Sequence, residues 1–167
     1  MRLLILSSVT ILCFHYGSAY AELPPGWRLP TSQELATEVD WEEAPDHAQS
    51  ISADFDGDKK DDLAQLLLND AKNEMALFVM LSSRKFKPLL LDELADKRTI
   101  HVMGIGVTDP GEYKTACGKG YWKCEKNEPE FLRLKYSAID YFKSESANSL
   151  FVWNQNLLRF DRIWMSD

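Results

Sequence analysis

The chain has 167 residues, with 26 acidic against 19 basic side chains and a formal net charge of −7. An acidic chain lacks the positive footprint of a nucleic-acid binder and is repelled by anionic lipid, so neither is expected as a partner. A basic or neutral protein partner suits it better.

The first 21 residues read as a signal peptide. Arg2 supplies a positive start, Leu3 to Phe14 is apolar, and Ala19-Tyr20-Ala21 is a small-x-small cleavage site. The apolar stretch falls short of the roughly 20 residues a membrane span needs. Cys13 lacks the small residues that precede a lipid-anchored cysteine. Cleavage after Ala21 is predicted, leaving residues 22–167 as one exported, soluble domain without membrane insertion. That portion keeps 18 basic and 26 acidic side chains, a net charge of −8.

Residues 22–30 carry three prolines and a glycine, which predicts an extended arm. Thr31-Ser32-Gln33-Glu34 matches a capping box, with Thr31 as N-cap and Glu34 at the third helical position, so a short helix is expected over 32–39. Pro45 stops any continuation, and Asp40 to Asp46 reads as a solvated acidic loop.

From residue 50 strands are expected: Ile51 to Phe55, Leu63 to Leu68, Met75 to Leu81, Phe86 to Leu91 and Thr99 to Val107. Asp92 to Lys97 reads as a turn or one helical turn, and Asp109-Pro110-Gly111 as a breaker. Beyond it, Phe131 to Tyr136, Ala138 to Lys143, Leu150 to Trp153 and Leu157 to Trp164 read as an antiparallel meander with Asn-containing links. Its aromatics are expected mostly in the core, an exposed aromatic patch for a partner being the alternative. The fold class is β-rich α+β: mostly antiparallel sheet, a short N-terminal helix and a C-terminal meander.

The segment Asp54 to Asp62 places five carboxylates in nine positions. Asp54, Asp56, Asp58 and Asp62 recur at positions one, three, five and nine, and a hard cation such as Ca²⁺ takes six to eight oxygen ligands. An EF-hand is excluded, because its glycine and glutamate positions hold Lys59 and Gln65. The alternative is a hairpin turn in which the Asp side chains bond to local backbone and Lys59 and Lys60 balance the charge.

Cys117 and Cys124 are the two cysteines beyond the leader, and in an oxidising compartment they predict one disulfide closing C-G-K-G-Y-W-K-C. Catalytic signatures are sparse. His47 lies in an acidic loop, and His101 reads as a core or edge residue of a strand. There is no H-E-x-x-H, no G-x-S-x-G and no phosphate-cradling glycine loop. The chain is therefore expected not to be an enzyme.

Two resemblances add to these readings. Asp54, Asp56, Gly57, Asp58, Asp62 and Leu63 resemble the D-x-D-G-D-x-x-x-D loop of FG-GAP and VCBS repeats. That resemblance implies Ca²⁺ held by the four aspartates and a main-chain carbonyl near Lys60. Lys59 departs from the second glycine often found there. No second acidic loop or fixed-period repeat occurs, which excludes a propeller or solenoid.

The second spans most of residues 22–167. The order T-S-Q-E-L, D-F-D-G-D, Y-K-T-A-C-G-K-G-Y-W-K-C, A-I-D-Y-F-K-S-E-S-A-N-S-L-F-V-W and F-D-R-I-W-M-S-D is similar to small periplasmic proteins of Gram-negative bacteria, some of them similar to immunity proteins for type VI secretion effectors. It implies a periplasmic toxin inhibitor acting on a secreted effector enzyme. A calcium-dependent envelope binding or scaffold module is the alternative, and a hydrolase comes third.

Overall fold

The structure, a computed structural model, describes residues 22–35 and 48–167. The helix forms where the capping box predicts it, as α1 (Ser32–Leu35). The Glu34 amide meets Thr31 Oγ1 at 3.3 Å, and Glu34 Oε2 accepts the Thr31 amide at 2.9 Å. The rest of the expected helix, residues 36–39, and the acidic stretch from Asp40 to Asp46 lie outside the described residues, as do the leader and His47.

Among the described residues ten strands follow, all paired antiparallel: β1 (Ser50–Ala53), β2 (Asp62–Asn69), β3 (Glu74–Met80), β4 (Pro88–Leu94), β5 (Met103–Thr108), β6 (Gly111–Lys114), β7 (Phe131–Leu134), β8 (Ala138–Lys143), β9 (Asn148–Asn154) and β10 (Arg159–Trp164). One sheet has the order β1-β2-β3-β4, a second β10-β9-β8-β5, and β6 pairs with β7 as a separate ribbon.

The two larger sheets pack face to face. Ala64, Leu66 and Leu68 of β2 and Met75, Leu77 and Val79 of β3 meet Ile105, Ile139, Tyr141 and Phe151 of the second sheet in one core. Every second residue of each strand points there, as a pleated ribbon requires. Truncating a side chain such as Leu77 to Ala costs about 2–5 kcal/mol.

Strands β2 and β3 are apolar on both faces, so their outer face also needs a cover. The N-terminal arm supplies it: Leu23 and Trp27 pack on Leu67, Ala76 and Phe78, with the Trp27 and Phe78 rings edge to face at 5.1 Å. Arg28 then pairs with Leu68 beyond the end of β1, donating and accepting at 3.0 and 2.8 Å. The second sheet is covered by the ribbon, whose Tyr113, Leu132 and Leu134 pack on Ala138, Leu150 and Met165.

Several boundaries differ from expectation. Thr99 to Val102 is not strand: the Asp96 carboxylate accepts the Arg98 amide at 3.0 Å and starts a 3₁₀ helix over Lys97–Val102, which delivers Ile100 to the core. Asp92 to Leu94, expected as turn, continues β4, because left-handed Lys85 and Phe86 complete the reversal earlier and shift the strand downstream. Gly111 opens β6 rather than ending a strand. The meander comprises β8 to β10. Strand β7 leaves it for β6, since Leu132 and Leu134 are needed on the outer face of the second sheet.

Beta-bulge geometry decides what faces the interior at the free edge of the first sheet. The β3–β4 register pairs Leu77 with Asp92 but Phe78 with Leu90, so Leu91 is an extra residue. Leu89 and Leu91 face the core before the bulge, and Asp92 and Leu94 follow the inward side after it. Asp92 thereby meets Arg162, which shares the core-facing side of β10 with Phe160 and Trp164.

Candidate functional site

The acidic loop is the turn between β1 and β2. Its backbone explains the residue types. Gly57 has φ +84°, and a Cβ there would lie 2.3 Å from the Tyr136 ring, so only glycine fits beneath that tyrosine. Lys59, standing where the related loops often have glycine, takes the left-handed conformation itself at φ 68°.

Asp54, Asp56 and Asp58 bring carboxylate oxygens within 4.8 Å of one another. Each also bonds to its own loop, as the turn reading expects. Asp54 accepts the Gly57 and Lys59 amides at 2.7 and 2.9 Å, Asp56 the Asp58 amide at 3.1 Å, and Asp58 the Lys60 amide at 2.8 Å. Two hydroxyls from the turn after β3 complete the set: Ser82 donates to Asp58 at 2.7 Å, and Ser83 donates to Asp56. Each of these six oxygens accepts one hydrogen bond, and an ionised carboxylate oxygen has room for two. All are hard oxygen donors, so the set fits a Ca²⁺-type ion.

Asp62 has another task. It is fully buried, and its two oxygens accept the Phe55 and Ser82 amides at 2.9 and 2.8 Å, tying both ends of the loop to the turn that follows β3. Burial pushes its carboxyl above the usual range; those amide bonds oppose the shift, and the charges of Asp56 and Asp58 add to it. Lys60 is exposed and contributes its amide to Asp58. The spacing identifies the triad, whereas Ser82, Ser83 and Tyr136 carry no sequence signal linking them to it.

Cys117 and Cys124 are bonded to each other. The loop they close is seated by two contacts. The Thr115 hydroxyl, buried, donates to the Pro129 carbonyl at 2.7 Å, and a Cβ on Gly118 would stand 2.0 Å from the Glu130 carbonyl oxygen. Lys119 Nζ donates to the Met165 carbonyl at 2.7 Å, anchoring the loop beside the end of β10.

Two clefts flank that end of β10. One, of about 470 Å³, lies between the disulfide loop and β10 and is lined by Trp122, Lys126, Glu128, Arg162 and Trp164, among others. Trp122 is fixed in it by its indole N–H, which meets Glu128 at 3.0 Å. The other, of about 330 Å³, opens between the sheets and is lined by Asp92, Leu94, Met103, Tyr141, Lys143, Arg162 and Trp164, with the Ser146-Ala147 turn at its edge. Arg162 lies 4.3 Å from the Trp164 ring and 5.3 Å from the Tyr141 ring, donates to Ser149 Oγ at 2.9 Å and pairs with Asp92 at 3.1 Å.

His101 is exposed on the 3₁₀ helix, its Nδ1 against the Arg98 carbonyl, and not in a strand core or edge. Of the C-terminal aromatics, Tyr141 and Phe151 are core and Trp164 is exposed. No helix among the described residues is long and apolar enough to cross a membrane. Comparison of the chain with protein-family models, curated proteins and solved structures returns no match.

Proposed function

We propose that this chain is an exported, periplasmic immunity-type protein that binds and neutralises a toxin acting on the cell envelope. The observation that carries this reading is the groove beside the disulfide loop. Its walls are fixed in advance by a covalent clamp, the Trp122–Glu128 bond and the stacked Arg162–Trp164 pair. Tryptophan and arginine dominate the energetics of protein interfaces, and walls that are already ordered lose little freedom on binding. A toxin with a cationic active-site cleft, such as an enzyme acting on anionic peptidoglycan, is drawn to a domain of charge −8. Such steering accelerates association and weakens as salt rises.

The acidic triad favours a second element. One Ca²⁺ would be held by Asp54, Asp56 and Asp58, with the main-chain carbonyl near Lys60 as the loop resemblance implies; Asp62, which that resemblance adds, is instead engaged by the Phe55 and Ser82 amides. The ion's role there is structural: it neutralises three adjacent carboxylates and stiffens the β1–β2 turn against Ser82 and Ser83. A calcium-dependent envelope binding module is the reading that gains if no toxin is found.

Co-expression with the toxin encoded beside the gene, with and without residues 1–21, tests the inhibitor reading. Protection is expected to require the leader, and a complex should be recoverable from the periplasm. Equal protection by the leaderless form, or no complex with the neighbouring product, would overturn it.

A further inference from the structure

The Tyr141 hydroxyl is buried without a hydrogen bond of good geometry, close to the Asp92 carboxylate, and its residue lines the cleft between the sheets. A buried hydroxyl left unpaired is destabilising, so its retention needs a cause. The polar groups around it are unbalanced. Arg162 uses Nε on Ser149 and Nη1 on Asp92, which leaves Nη2 to meet a further acceptor. Lys143 and Ser146 stand at the mouth, exposed. The two cations of the lining, Lys143 and Arg162, outnumber its one carboxylate, Asp92. The formal charge of the lining is positive by one, in a chain that is strongly negative overall. Leu94, Met103, Ala147 and Trp164 make the rest of the wall apolar.

We propose that this cleft is a binding site for a carboxylate carried on an apolar stem, the carboxylate taking the Tyr141 hydroxyl and the free edge of Arg162 while the stem lies against Leu94, Met103 and Trp164. Guanidinium groups recognise carboxylates through paired N–H donors, and a site of mostly apolar lining with a few convergent polar groups is the usual form of a small-ligand pocket. Asp92 holds the guanidinium in place and does not saturate it. The inference needs no toxin, and it shares Arg162 and Trp164 with the groove beside the disulfide loop.

The test is a titration of the ¹⁵N-labelled full domain with hexanoate, with an acetylated tripeptide ending in leucine, and with the amide of that tripeptide. Saturable shifts of the Trp164 indole and Arg162 Nε–H signals are expected with the acids and not with the amide. Stronger binding of the peptide acid identifies a chain terminus as the natural source, and stronger binding of hexanoate a free organic acid. Tyr141→Phe separates binding from folding: it removes an unpaired hydroxyl, so thermal stability is kept or raised, while affinity for the acids falls about tenfold. Arg162→Gln serves as a second variant and should abolish the shift of Trp164. No saturable shift with either acid, equal response to the amide, or full affinity in Tyr141→Phe would each overturn the proposal.

Discussion

Asp92 and Arg162 face each other across the open side of the sandwich, at 3.1 Å, from edge strands that belong to different sheets. The contact exists because Leu91 is an extra residue in β4 and turns Asp92 inward. The opposite side is closed differently, by a backbone bond from the Ile105 amide to the Ala48 carbonyl at 3.2 Å. A second closure lies beside the ion pair, where Arg84 donates to the Leu158 carbonyl at 2.8 Å and lies over the Trp153 ring. Inward charges on edge strands also discourage pairing with other chains.

Removing either member of that pair leaves its partner half-buried and unmatched. Asp92→Asn or Arg162→Gln should each lower unfolding free energy by about 1–2 kcal/mol, between the values for exposed and fully buried pairs. A double-mutant cycle by urea denaturation measures the coupling. Additive losses would show that the pair does not couple the sheets.

The acidic loop separates two roles that one substitution series can resolve. Asp56→Ala with Asp58→Ala should abolish calorimetric Ca²⁺ binding and the accompanying rise in melting temperature. Asp62→Asn replaces a carboxylate that accepts two backbone amides, and should destabilise the chelator-treated protein itself by about 1–3 kcal/mol. A chelator-treated wild type that shows neither heat nor thermal shift at millimolar Ca²⁺ removes the metal from the account.

Glycine is required at two tight approaches. Gly57→Ala pushes a methyl group into the Tyr136 ring at a left-handed position, and Gly118→Ala drives one against the backbone of Glu130. Each is expected to cost about 1–3 kcal/mol, the ordinary range for overpacking. Tyr136→Ala together with Gly57→Ala should recover part of the first loss and none of the second, as thermal melts of the three variants would reveal.

Acid should loosen the arm before the core. Arg28 bonds to Glu34 and Asp70, and Lys97 also pairs with Asp70. The hydrogen bonds from Arg28 and from Thr31 hold the Glu34 carboxyl down at about 2, and Arg28 with Lys97 holds Asp70 below its usual range. A depressed folded value means the contribution is complete above the unfolded value near 4.5 and is lost as pH falls toward 2. The contribution is small, because these groups are partly exposed. The Trp27 indole signal, followed by NMR over that window, should move toward its unfolded position while core methyl signals stay fixed. Simultaneous loss of both would mean that the arm and the core unfold as one unit.

Local chemistry was legible wherever neighbours in sequence are also neighbours in space. The capping box placed α1, the spacing of Asp54, Asp56 and Asp58 placed a carboxylate triad, and the cysteine pair in C-G-K-G-Y-W-K-C placed the disulfide. Alternating and continuous apolar runs located β2, β3, β8 and β10 to within one or two residues. Chain-order reasoning did less well with the 3₁₀ helix at Lys97–Val102, where β-branched and apolar residues resemble a strand but the Asp96 cap and the burial of Ile100 decide otherwise.

The sequence by itself determined a β-rich domain, its acidic turn and its staple, since each depends on residue type and short spacing. Tertiary structure alone decided that β7 leaves the meander, that Ser82, Ser83 and Tyr136 complete the acidic loop, and that Asp92 meets Arg162 over Tyr141. The physical reason is register. One extra residue in a strand inverts every side chain beyond it, and which face is then covered depends on segments far away in the chain.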